Sequence, residues 1–128
     1  MSTARPLDVL APVIDRIEEN ATERFALDIA RLIRGAYDAP AKGTMRAWME
    51  AHHGDIVTTV QVNRDTGQAW SPTGRTVDAT RAGSVQLSGS TRDYKGMRVL
   101  HATDDVLIVS DSWHVIAYVD ENAASVER

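Results

Sequence analysis

The stretch MRVLHATDDVLIVSDSWHVIAYV, Met97 to Val119, decides the fold. It contains three runs of strand-forming residues, Met97 to Thr103, Val106 to Ser110 and Trp113 to Val119, separated only by Asp104-Asp105 and Asp111-Ser112. β-branched and aromatic residues punctuated by two-residue polar linkers predict an antiparallel meander. With both linkers as two-residue turns, Thr103 opposes Val106, His101 opposes Ile108 and Val115, and Leu100 opposes Val109 and His114. One face then carries Val99, His101, Val106, Ile108, Trp113, Val115 and Ala117. The other carries Leu100, Ala102, Leu107, Val109, His114, Ile116 and Tyr118. Both faces are apolar, so the sheet must be covered twice. Either the N-terminal helices cover one side and a curled hairpin the other, or a second subunit completes the burial.

Upstream, Ile56 to Asn63 is rich in β-branched residues and Arg64-Asp65-Thr66-Gly67 has turn chemistry, which predicts a hairpin returning through Gln68-Ala69-Trp70. Residues 71 to 96 alternate β-like runs, Thr76 to Thr80 and Ser84 to Ser88, with Pro72, Gly74, Gly83, Gly89 and Gly96. They read as edge strands or as a long functional loop. Further toward the N-terminus, Leu7, Leu10, Ile14, Ile17, Ala21, Phe25, Ile29 and Leu32 step by three or four, the period of an amphipathic helix. Pro12 suits a first helical turn, so the helix is expected to start near Ala11. Asn20 and Glu23 have the spacing of a capping pattern, but the apolar stripe passes through them without a change of phase, and we expect one long helix. Gly35 and Pro40 end it. Thr44 caps a short second helix, with Met45, Trp48, Met49 and His52 on one side and Gly54 at its end.

The expected fold is therefore α+β: a long N-terminal helix and a short second helix packed on an antiparallel sheet of five to six strands. It forms one domain over 1–128, helical in 7–54, antiparallel β in 55–119 and a polar tail in 120–128. The length of 128 residues suits one domain with one real core.

Composition narrows the function. The absence of cysteine excludes disulfides, thiolate metal sites and cysteine nucleophiles. The net charge is −4, and neither half of the chain is basic, which argues against a nucleic-acid partner. No run approaches the roughly 20 apolar residues of a membrane span, and the start of the chain lacks a signal-peptide apolar region, so a cytoplasmic location is expected. His52-His53-Gly54-Asp55 is the most metal-like cluster, yet adjacent histidines on a helix diverge by about 100° and cannot both face one ion. No metal and no cofactor are expected. Ser110-Asp111-Ser112-Trp113-His114 holds triad residue types without a nucleophile-elbow pattern. The glycines of 83–96 match no phosphate-cradling spacing.

The order of elements around Ala39-Pro40-Ala41-Lys42-Gly43-Thr44-Met45-Arg46-Ala47 resembles the small tail-completion or neck proteins of tailed bacteriophages. In that family an Ala-Pro, an Asp-Thr-Gly and a Leu-Arg link the first helix to the sheet; here the Asp-Thr is missing and the spacing is one residue short. The resemblance implies a non-enzymatic, ring-forming virion component whose function lies in its oligomer interfaces. The helix-on-curved-sheet outline is also similar to the nuclear-transport-factor-2-like superfamily, which implies a small-molecule-binding or hydrolase/isomerase-type pocket protein. Trp70, His101, Trp113 and Tyr118 would line that pocket. A third expectation, from the acidic balance, is a small inhibitor or regulator of a macromolecular partner. We expect a non-enzymatic assembly or interaction protein, self-associating or bound to another protein, with Trp70, His101, Ile108, Trp113, His114, Val115, Ile116 and Tyr118 as interface or pocket candidates.

Overall fold

The computed structural model describes residues 11–20, 24–37, 43–69 and 73–122. Among the described residues three helices, α1 (Ala11–Asn20), α2 (Arg24–Tyr37) and α3 (Met45–Ala51), precede seven strands. The strands are β1 (Ile56–Asn63), β2 (Thr73–Asp78), β3 (Ser84–Leu87), β4 (Ser90–Asp93), β5 (Arg98–Ala102), β6 (Val106–Ser110) and β7 (His114–Asp120). They form one antiparallel sheet in the order β4-β3-β2-β1-β7-β6-β5. The first strand lies in the middle, paired to the last from Val57–Asp120 through Asn63–His114.

This corrects the expected fold in two respects. The long N-terminal helix is two shorter ones, and the sheet has seven strands where five or six were expected. A continuous helix over 11–37 would extend about 40 Å, far past the strands it has to cover. As separate helices, both segments lie over the same layer. Val13 and Ile14 of α1 and Ile29, Ala30 and Ile33 of α2 are buried together against Val60, Val62, Val106, Ile108, Val115, Ala117 and Val119. Arg34 of α2 reaches back to both Asp15 and Glu18 of α1, with its Nε 2.8 Å from the Glu18 carboxylate. That pairing exists only because the helices lie side by side, and it holds Arg34 above its usual pKa through the hydrogen bonds to Glu18 and Asp15. The unbroken apolar phase misled because the two helices bury their stripes on the same sheet. The additional strands come from 73–93. Ser88 (φ 53°) and Gly89 (φ 90°) take the left-handed backbone of a two-residue hairpin turn, which pairs β3 with β4.

The opposite face is covered by the chain itself. α3 begins at Thr44, whose hydroxyl accepts the Ala47 N–H at 3.1 Å, and packs Met45, Trp48 and Met49 against Val57, Val77, Val85, Leu87, Ala102, Leu107, Val109, Ile116 and Tyr118. Those residues come from both wings of the sheet, and α3 touches β2 and β3 on one side and β5 and β6 on the other. The sheet is thus bent around α3, forming a hollow.

The meander keeps the expected division of faces with two changes of register. Thr103 does oppose Val106, donating its N–H to the Val106 carbonyl at 2.7 Å. A bulge between Val99 and His101 then places Val99 opposite Val109, so Val99 joins the α3 layer and Leu100 the helix-pair layer, the reverse of the expectation. At the second turn Asp111 pairs with His114, so the two turn residues are Ser112 and Trp113, and Ile108 faces Ala117 where Val115 was expected. The cause is the Asp111 carboxylate, which accepts the N–H groups of Trp113 (2.7 Å) and His114 (2.6 Å) and so occupies the first position of the turn. The partner shift is two residues, an even number, so faces are preserved. Near the first hairpin, Ala69 makes only an isolated bridge to Val62, and the neighbour of β1 is β2. Trp70 lies outside the described residues.

Leu107 is fully buried in the middle of the α3 layer. Leu107→Ala should lower unfolding free energy by about 2–5 kcal/mol in urea titrations, whereas Arg34→Ala, which removes only exposed ion pairs, should leave the urea midpoint nearly unchanged.

Candidate functional site

The residues singled out from the sequence separate into several environments. Ile108 and Val115 are fully buried beneath α1 and α2, while Ile116 and Tyr118 are fully buried on the α3 side. His101, half-buried on edge strand β5, opposes Ile108 and so shares no face with Tyr118. His114 opposes Asn63 at the start of β7. Trp113, expected within a strand, stands at a turn and is 63% exposed, the most exposed large apolar side chain among the described residues. The structure therefore gathers no single pocket from them. It presents three local constellations.

The first surrounds Trp113. Its backbone is fixed three ways: the Asp111 carboxylate holds its N–H, its carbonyl accepts the Arg64 N–H at 2.8 Å, and His114 beside it is held by the same carboxylate. Arg64 further donates to the Asp111 carbonyl at 3.1 Å. Beside this turn lies a surface depression of about 210 Å³ lined by Arg64, Arg98, Leu100, Ser110 and Ser112 among others. An exposed indole on a fixed backbone thus stands at a turn whose neighbouring depression carries two guanidinium groups.

The second lies at the C-terminal end of α3. His52 stacks on Trp48, with ring centroids 3.8 Å apart, and its Nδ1 lies 2.8 Å from Asp120 Oδ2 and 3.4 Å from Asp55 Oδ2. Trp48 in turn donates its indole N–H to the Thr103 carbonyl at 2.9 Å. Asp120, counted with the polar tail by sequence, closes β7 and is buried. His53 turns elsewhere and accepts the Ala79 N–H at 3.1 Å, the divergence expected of adjacent histidines. The three ligand atoms of His52, Asp55 and Asp120 lie within 4.8 Å of one another, one imidazole and two carboxylates, the donor types that a divalent cation takes. The same contacts also fasten α3 to the end of β7.

The third is inside the hollow, past the end of α3. Thr59 and Tyr118 are directly paired across β1 and β7, and a cavity of about 80 Å³ is bounded by them together with Gln61, Arg75, Leu87 and Arg92 among others. Arg92 reaches from edge strand β4 toward Asp111, 3.9 Å from its carboxylate, so it spans the mouth of the hollow. Thr59, Gln61, Arg75 and Arg92 were not singled out by sequence. A signal existed in β1, where Thr59 and Gln61 follow Val57 on the alternating positions that face the hollow and break an otherwise apolar pattern. Asp120 had a similar signal, since it continues the alternation of Ile116 and Tyr118.

Comparison with protein-family models, with curated proteins and with solved structures finds no significant match. Among the described residues, no helix is long and apolar enough to cross a membrane.

Burial pushes the Asp111 carboxyl up, but the N–H groups of Trp113 and His114, with the charges of His114 and Arg92, outweigh it and hold its pKa below 3.8. A lowered folded-state pKa gives stability that is fully present above the ordinary aspartate value and is lost as pH falls through the folded value. Acid titration below about pH 4 should therefore loosen the Trp113 turn, followed by the amide signals of Trp113 and His114. Asp111→Ala should leave those signals without that acid transition.

Proposed function

We propose that this chain is a non-enzymatic interaction protein that engages a protein partner, in its simplest form a second copy of itself, through the end of the sheet marked by Trp113. The observation that carries this reading is the Trp113 side chain, exposed on a turn whose backbone is fixed by Asp111 and Arg64. Exposing an indole to water is unfavourable, and on a fixed backbone only its two side-chain torsions are ordered when it is covered; both properties make tryptophan a frequent anchor of interfaces. Arg64 and Arg98 beside it suit carboxylates of the partner, and Arg is likewise enriched at such contacts.

A partner would meet the turn and not the faces of the sheet. α1 and α2 bury one face and α3 the other, so Ile108, Val115, Ile116 and Tyr118 serve the core of the chain and would not be reached by a partner. The resemblance of residues 39–47 to tail-completion and neck proteins is the form of this proposal in which the partner is another copy in a ring or an adjoining virion protein.

Light scattering across a concentration series should show mass rising above the monomer, and Trp113→Ser should return it to the monomer with unchanged circular dichroism and melting. A wild-type chain that remains monomeric throughout, with a Trp113 indole signal independent of concentration, overturns self-association through this turn.

A further inference from the structure

We propose that the hollow between β1, β7 and the β3–β4 hairpin binds a small oxyanion, a carboxylate or phosphate group, through Arg75, Arg92 and the hydroxyls of Thr59 and Tyr118. This site lies apart from the Trp113 indole, although Asp111 touches both, and it does not rest on the interaction reading.

Tyr118 is fully buried, and Thr59 is 8% exposed. The hydroxyl oxygens of both are shut off from solvent and neither has a protein group in full hydrogen-bond geometry, although Arg92 comes near enough to the Tyr118 hydroxyl to draw its pKa down. A buried hydroxyl without a partner is destabilising, and here two stand side by side on paired residues of β1 and β7. Both border the cavity of about 80 Å³. Simple packing has an easier solution, since Phe and Val would fill the same space without the penalty.

The wall chemistry points to what completes them. Guanidinium groups only donate, and hydroxyl and amide groups can donate, so Arg75, Arg92, Thr59, Gln61 and Tyr118 together form a donor-rich wall. Burial pushes the Tyr118 phenol up to about 12, with Arg92 and Arg75 drawing it back, so at neutral pH it keeps its proton and can donate it. Arg75 contacts the Leu87 carbonyl at 3.3 Å, and Arg92 has the Asp111 carboxylate at 3.9 Å, so each five-donor guanidinium keeps donor capacity beyond these contacts. Excess donors with positive charge call for an acceptor-rich anion. A volume of about 80 Å³ is several times what a single water requires and suits one oxyanion head group; Ser90 and Thr91 on its border are exposed, so the site opens toward solvent there.

The full chain is titrated with sodium phosphate, sodium acetate and, as a control, sodium chloride at matched ionic strength, following the Arg side-chain Nε–H signals by NMR and the melting temperature. Phosphate or acetate should shift the signals of Arg75 and Arg92 saturably and raise the melting temperature, with chloride doing neither. Phosphate acting alone identifies a tetrahedral group, and acetate acting alone a planar carboxylate. Arg92→Gln should weaken binding by about tenfold or more, and Tyr118→Phe should weaken it while leaving the unliganded chain as stable as before or more so. Two results overturn the proposal. One is that neither oxyanion moves the Arg75 and Arg92 signals beyond the chloride control. The other is that Tyr118→Phe and Thr59→Val each destabilise the unliganded chain, which would mean that the hydroxyls are already satisfied within it.

Discussion

Seven consecutive antiparallel pairs join β1 to β7, and nearly every other feature hangs on them. The pairing puts the first strand at the centre of the sheet, with β2, β3 and β4 extending one wing and β6 and β5 the other. A strand in that position is buried on both sides. Val60 and Val62 of β1 join Val115, Ala117 and Val119 beneath the helix pair, while Val57 joins Ile116 and Tyr118 beneath α3. Two apolar faces of one sheet require two covers, and three short helices supply them within a single chain.

How that burial is divided explains where function can reside. The helix-pair side, on the outside of the bend, takes two helices and closes over with aliphatic side chains. The α3 side has only a seven-residue helix, about 10 Å long, which cannot fill a hollow bounded by the wings of a seven-stranded sheet. It is pinned at the end where His52 meets Asp120, and the Thr59–Tyr118 row beyond it is lined by polar groups. The surface turn and the interior cavity are also connected physically. Asp111 orients the backbone of Trp113 with one oxygen and faces Arg92 with the other, so the residue that positions the exposed indole stands at the mouth of the hollow.

Much of this was legible because alternation is a strong signal where both neighbours of a strand are present. β6 and β7, the two-layer division of Leu107, Ile108, Val109, Val115, Ile116 and Ala117, and the Thr44-capped helix all follow from local chemistry. What escaped was decided by contacts distant in sequence. The separation of α1 from α2 depends on a sheet narrower than one long helix, and the apolar period alone contains no length limit. The bulge that exchanges Val99 and Leu100 has no glycine to mark it. The second turn moved by one residue because a single carboxylate captured two N–H groups, a choice that composition leaves open between Asp111-Ser112 and Ser112-Trp113. The arginines of the hollow come from β2 and β4, and only tertiary bending brings them over Tyr118.

The central place of β1 also sets a timetable for synthesis. Its sheet partners on one side, β2 to β4, follow promptly from the ribosome, but the strand that covers its other edge is β7, made some fifty residues later. Until then β1 presents an open backbone edge with valines on both faces, and the helix pair has only part of its floor to sit on. Pairing across so long a separation is slow, and an uncovered edge of this kind can recruit another nascent chain. Folding is therefore committed late and nearly all at once, when residues 114–120 arrive and both cores close around the same strand.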